Sequence, residues 1–251
     1  MSVSAVAVPA PAPSPAVDSW RRDRRFFTGM AIAALLTVFA GFAPSYYMKL
    51  VFGRPTFSGG ALSPLLHVHG LLFTAWIVLF LVQARLVAGR RIAIHRRLGY
   101  GAVGLAAAMV VAGFLAAVDS ARRGSAPPGV PPLAFLAIPM ADLVIFSTLV
   151  GLGMAWRSRP EAHKRLMLVS TISILTPAIA RLPGVIAAGP LAFLGLTDLF
   201  VVACLVYDRV TRGRVHPAFW WAGGLLLASQ VGRLVISGTA AWLAFAAWLT
   251  R

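Results

Sequence analysis

The chain has 251 residues, 59% of them hydrophobic and 12% charged, with a mean hydropathy of +0.82; a soluble domain needs a polar outer face, so this composition points to lipid as solvent. The formal charge of +16 would suit nucleic acid in a soluble protein, but here the basic residues cluster between apolar runs, as membrane topology requires, and a nucleic-acid partner is excluded. The single cysteine, Cys204, lies inside an apolar run, which excludes a disulfide framework and a thiolate metal cluster.

Residues 1–20 centre on AVAVPAPAPSPAV, too rich in proline to pack and too poor in contiguous apolar residues for a signal peptide. They predict a disordered Ala/Pro-rich tail ahead of one transmembrane helical domain over 21–251. Arg21, Arg22, Arg24 and Arg25 then flank an apolar run at about 26–44, too long for a cleavable leader and read as an uncleaved anchor. Further runs at about 64–87, 98–118, 133–156, 165–187, 191–207 and 218–237 complete an all-α, polytopic bundle of about seven spans. The remaining Thr239 to Arg251 is too short to cross and either extends the last helix or lies in the interface.

Lys and Arg fall unevenly on the two sides of this layout. Sixteen lie in the N-terminal flank and the 85–97, 157–165 and 209–214 connections, against five on the other side. The positive-inside rule then puts the N-terminus in and the C-terminus out, as a multi-pass protein of the bacterial inner membrane in contact with its lipid. Three inner connections also carry a histidine among basic residues where a helix returns to the membrane: His95, His163 and His216. This suggests tandem helical hairpins behind a leading helix.

Ionisable groups within spans cost a few kcal/mol each and mark function when they persist. At about 1.5 Å per residue, Asp142, Asp198, Arg181 and Arg233 all fall in the outer half, with His67 and His69 at the outer opening of the second span. Two readings stand: the charges neutralise one another as structural ion pairs, or they line a polar pocket open to the outer side. Ser229 one turn before Arg233, Ser237 one turn after it and adjacent Gln230 make a polar stripe that favours the pocket. Pro177, four residues before Arg181, interrupts the fifth span and frees a carbonyl near Ser173. His67 and His69 are candidate metal ligands, but a two-residue spacing separates them by about 200° on a helix, so one of them faces the bundle.

On the inner side His95 and His163 begin two helices at matched depth, in HRRL and HKRL. Two imidazoles so placed can hold a haem b iron from both faces, the arginines meeting its propionates; alternatively the basic side chains simply reach lipid headgroups.

HVHG opening a span, QARLVAGRRIAIHRRLG after it, and HKRLM with an arginine eighteen residues after its histidine together resemble a broad family of uncharacterised bacterial inner-membrane proteins, over roughly residues 60–185. The resemblance implies a multi-helix membrane fold and no defined activity. A second likeness is to the four-helix b561-type membrane cytochromes, which hold two haems between histidine pairs at opposite membrane faces. It implies His95 and His163 as the inner pair; His69 would be an outer ligand without a histidine partner, since the fourth span offers Asp142 there.

The leading expectation is a haem- or metal-binding protein of membrane electron transfer or respiratory-enzyme assembly, with redox or respiratory partner proteins. The alternative is a transporter or small-molecule binding protein whose outward pocket is lined by His67, His69, Asp142, Arg181, Asp198 and Arg233. A third reading is a hydrolase or transferase acting on lipid with a divalent metal, because no serine or cysteine nucleophile motif supports a metal-free one.

Overall fold

The computed structural model describes residues 15–52, 62–127 and 129–251. Helix α1 (Pro15–Phe42) continues through a π-helical turn (Ala43–Tyr47) into short α2 (Lys49–Phe52). There follow α3 (Pro64–Ala88), α4 (Ile92–Arg122), α5 (Pro132–Phe135), α6 (Ala137–Ala155), α7 (Pro160–Ser173), α8 (Thr176–Ala180), α9 (Pro190–Arg212), α10 (Pro217–Ser237) and α11 (Ala240–Leu249). α1 starts at Pro15, so residues 15–20 are its first turns and not tail; the Arg90 guanidinium, 4.6 Å from the Trp20 ring, holds this end against the α3–α4 connection, and Arg24, one turn along α1, lies 5.1 Å from the same ring. The rest of the expected tail, 1–14, lies outside the described residues.

Among the described residues six helices are long and apolar enough to cross a membrane: Ser19–Tyr47, Pro64–Ala88, Ile92–Arg122, Pro132–Ala155, Pro190–Arg212 and Pro217–Ser237. Their outward faces carry exposed Leu36, Leu71, Val111, Val144, Leu199 and Val235, the inverse of a soluble bundle. This is an integral, multi-pass helical membrane protein.

The fifth expected span differs. Instead of one helix over 165–187 the chain forms α7 and α8, breaking at Ile174 and Leu175. Pro177 has no N–H to give the Ser173 carbonyl. Three hydroxyls also bond back within the turn, Ser170 and Thr171 to Met167 O and Ser173 to Ser170 O, at 2.8 to 3.0 Å. The pair still traverses the bundle. Lys164 meets Asp23 near the start of α1 at 2.6 Å, whereas a Cβ on Gly41 would lie 2.1 Å from Ala178 O. Those contacts are about 27 Å apart along α1, close to the roughly 30 Å hydrocarbon thickness.

α7 and α8 are almost wholly enclosed by protein. Leu166, Leu168, Val169, Ile172, Leu175 and Ile179 are all buried between α1, α6, α9 and α10. A segment that meets protein on every side can carry hydroxyls and charges that a lipid-facing helix cannot.

The C-terminal residues do not extend α10. Gly238 ends that helix, and Thr239 Oγ1 accepts from Trp242 N (3.2 Å) to start α11. α11 folds back on the outer end of the bundle, where Trp242 Nε1 donates to Leu133 O (2.8 Å) and Arg122 Nη2 to Arg251 O (2.5 Å).

Candidate functional site

Within the outer half, α1, α3, α4, α6 and α8 enclose a cavity of about 480 Å³. Along α3 its wall runs from Leu66 to Ile77, about 17 Å of helix, a little over half the roughly 30 Å hydrocarbon thickness. Most of the lining is apolar. The π-helical turn, whose extra residue per turn re-aims side chains, places Tyr46 and Tyr47 on the wall, and Tyr47 Oη meets Thr74 Oγ1 at 2.7 Å. Gly70 also lines the cavity, and it leaves room for Tyr46, whose ring a Cβ there would approach to 3.0 Å.

Three of the residues singled out for the outer pocket line this cavity together: His69, Asp142 and Arg181. Asp142 is 6% exposed, and its Oδ1 accepts from Arg233 Nη1 at 2.5 Å; Arg233 is 3% exposed and also donates to Ser229 O and Oγ, at 3.3 and 3.0 Å. Arg181 Nη1 donates to the Pro177 carbonyl at 2.7 Å, and its guanidinium stands 4.6 Å from the Phe42 ring centre. The carbonyl it uses belongs to the proline that breaks the α7–α8 segment. His69 packs on Phe73, with ring centres 4.2 Å apart. Among the described residues, Asp142 Oδ2 and His69 Nδ1 are buried with no hydrogen-bond partner.

The other expected outer residues separate from this group. Asp198 Oδ1 accepts from Gln230 Nε2 at 2.9 Å, so Gln230 and Arg233 of α10 serve different carboxylates. Neither Asp198 nor Arg233 lines the cavity. His67 is exposed beside Tyr46, on a different face of α3 from His69, so the two do not point at one metal. Among the described residues no three of His, Cys, Asp and Glu converge as metal ligands.

On the inner side His95 and His163 do come together, with ring centres 6.2 Å apart and planes at 78°. The His163 Nδ1 proton goes to Gly153 O at 2.8 Å, leaving a lone pair on Nε2. With the Gln83 amide oriented so that both of its ends find partners, its oxygen accepts from Gly99 N (3.1 Å) and its nitrogen donates to His95 Nδ1 (2.7 Å). Neutral His95 so held carries its proton on Nε2, and the pair presents one ligating nitrogen, not two.

His216 plays a third part. It is the N-cap of α10, its Nδ1 accepting from Ala218 N at 3.1 Å.

The feature that reading the sequence missed is an ion network at the inner end. Arg165 and Asp208, both 0% exposed, form a two-pronged pair at 2.9 and 2.5 Å. Arg165 also reaches Glu161 Oε2 (2.7 Å), and Asp208 accepts from His216 N (3.0 Å). Lys164, Arg212 and Tyr207 all converge on Asp23 of α1. The network fastens α1, α7, α9 and α10 at one level. A signal was present: Asp23, Glu161 and Asp208 are three of only seven acidic residues, and each sits among arginines and lysines at a helix end.

Fold and site together define a polytopic helical membrane protein with a closed ionic layer at its inner end and a cavity in its outer half. Comparisons with protein-family models, with curated proteins and with solved structures find no match for the chain.

Proposed function

We propose that this chain is a small-molecule binding protein or transporter of a bacterial inner membrane, with its ligand in the outer-half cavity. One observation carries the reading: a mostly apolar cavity of about 480 Å³ has two buried polar atoms, Asp142 Oδ2 and His69 Nδ1, with no partner among the described residues. Buried polar groups are ordinarily satisfied, and a concave apolar site with a few convergent polar groups is how small ligands are held.

The test uses the burial of the protein's one cysteine. Cys204 is 0% exposed, so Ser120→Cys on the cavity wall reports alone. A charged methanethiosulfonate added outside intact spheroplasts should label it. Organic extraction of the purified full chain should also yield an amphiphile near one per protein, lost from Ala116→Phe, which fills the cavity. No label from outside, or equal extraction from both proteins, refutes the proposal.

A second reading, haem b held by His95 and His163 for electron transfer or respiratory-enzyme assembly, is favoured by their 6.2 Å separation. Two imidazoles on one iron, at about 2 Å per metal–nitrogen bond, put their ring centres roughly 6 Å apart. It requires His95 to move its proton to Nδ1 against Gln83. A purified protein from haem-replete cells that lacks a Soret band ends it.

A further inference from the structure

We propose that the groove between the α6–α7 and α9–α10 connections, at the inner end of the bundle, binds an anionic phospholipid of the inner leaflet. It lies at the opposite end of the molecule from the outer cavity and does not depend on that site.

The groove has a volume of about 490 Å³, and Trp156, Arg159, Glu161, His216, Pro217 and Trp221 stand on its walls. Local sequence makes it. Pro160 and Pro217 open α7 and α10 at the first helical position, where a missing N–H costs nothing, and each adds an apolar ring to the wall. Buried Ala162 and Ala218 form the base, and their short side chains give it depth. Trp156 ends α6, Trp221 lies one turn into α10, and both are exposed. Tryptophans at the ends of membrane helices mark the level where headgroup meets chain. One turn deeper on the same helix faces, Leu152 and Leu225 are exposed as well. The apolar walls therefore continue toward the hydrocarbon, as an acyl chain requires.

Charge decides the headgroup. Glu161 is the acidic residue on the walls, and both of its carboxylate oxygens are taken, Oε1 by Lys164 at 2.6 Å and Oε2 by Arg165 and Arg212 at 2.7 and 3.1 Å. Arg159 on the wall and Arg214, two residues before His216, are exposed and make no side-chain bond among the described residues. His216 caps Ala218 through Nδ1, so the neutral ring keeps its proton on Nε2 as a further donor. A phosphodiester and its glycerol esters offer several acceptors, and these donors need not meet on one atom. Basic pockets between helices at the cytoplasmic face are where anionic headgroups bind. A free phosphate ion would satisfy the arginines and leave the apolar walls bare, whereas a phospholipid covers both.

The experiment uses the full chain in nanodiscs of phosphatidylglycerol and phosphatidylcholine, with tryptophan quenching by bromine on the acyl chains as readout. Each mixture is made twice, with the bromine on one lipid or on the other, which gives the exchange constant at the tryptophans that touch lipid. In the wild-type protein it should favour phosphatidylglycerol by at least about fivefold, the worth of one basic residue beside an anionic headgroup. Arg159→Gln/Arg214→Gln should bring it close to one. Arg96→Gln/Arg97→Gln removes the same charge from exposed positions at the inner end of α4 and should leave it unchanged. In Trp156→Phe/Trp221→Phe, which keeps aromatic walls but removes the reporters in the groove, the other five tryptophans should show no preference.

A wild-type constant of one overturns the proposal, as does a preference that survives in either groove variant. Equal loss in Arg96→Gln/Arg97→Gln overturns it too, because the attraction is then that of a basic surface and not of a site. If the arginine pair lowers the yield of folded protein, the wild-type constant and the tryptophan pair still decide.

Discussion

Replacing Arg233 with Met keeps most of the side-chain volume but deletes the partner that the Asp142 carboxylate has among the described residues, in a site where the two residues are 3% and 6% exposed. Because Oδ2 already has no partner among the described residues, the variant would bury a carboxylate with neither oxygen bonded. Breaking a buried pair on one side costs about 3–5 kcal/mol, and the lower end applies in lipid, where the unfolded reference also finds partners. At about 1.4 kcal/mol per decade, that is two or more decades in the folding equilibrium. Asp142→Leu/Arg233→Met should recover most of the loss, since an apolar pair has no charge to desolvate. Asp198→Leu should cost only about 1 kcal/mol, the worth of its bond from Gln230. The assay is SDS-driven unfolding in mixed micelles, followed by tryptophan fluorescence. Additive losses in the double variant would refute the pairing, and coupling of Arg233 to Asp198 in place of Asp142 would refute the assignment.

Three further outcomes are expected. Gly41→Ala brings a Cβ to 2.1 Å from the Ala178 carbonyl and should cost about 3 kcal/mol or more by parting α1 from α8, whereas Gly29→Ala, with nothing within 4 Å, should be neutral in the same unfolding assay. Arg165→Lys keeps the charge but loses the two-pronged contact with Asp208 and should destabilise by about 2 kcal/mol, whereas exposed Arg159→Lys should not register. Burial, with Arg165 nearby, holds the His216 imidazole below its ordinary value, while Asp208 and Glu161 pull the other way and Arg212 adds to the lowering. Above about pH 6.5 His216 is neutral in both states; as pH falls through that value the unfolded chain binds the proton first, so stability declines and then levels off below the folded value. Protonated Nδ1 also cannot cap Ala218. His216→Asn, which caps without titrating, should flatten this part of the stability–pH curve; an unchanged slope refutes the role.

What could be read before the structure was whatever depends on run length. Apolar windows located the long helices, and depth counting put His69, Asp142 and Arg181 on one side, where they share a cavity. Depth alone does not say which face a residue takes, so Asp198 and Arg233, at similar depth, invited a pairing that α10 does not make: Gln230 and Arg233 lie three residues apart and reach different helices. The 200° between His67 and His69 did settle that both could not face inward. The break in the fifth segment was legible at Pro177, and α7 ends at Ser173 as that proline requires; hydropathy, which averages over a window, hid that α8 stops at Ala180, short of the expected 187. The inner network was hidden differently. Arg165, Lys164 and Arg212 satisfy the positive-inside rule, and that sufficient explanation left their acidic partners unsought.

The buried α7–α8 pair has a consequence for how the protein is made. A segment with Glu161, Lys164 and Arg165 in its first two turns, and hydroxyls through its last, gains too little from lipid to leave the translocon alone. Its polar groups find partners on α1, already inserted, and on α9, not yet synthesised, at Asp23 and Asp208. A nascent chain ending before α9 therefore lacks Asp208, the fully buried one of the two carboxylates that meet Arg165. Insertion of the fifth crossing waits for the sixth, and the centre of the bundle is among the last parts to enter the membrane.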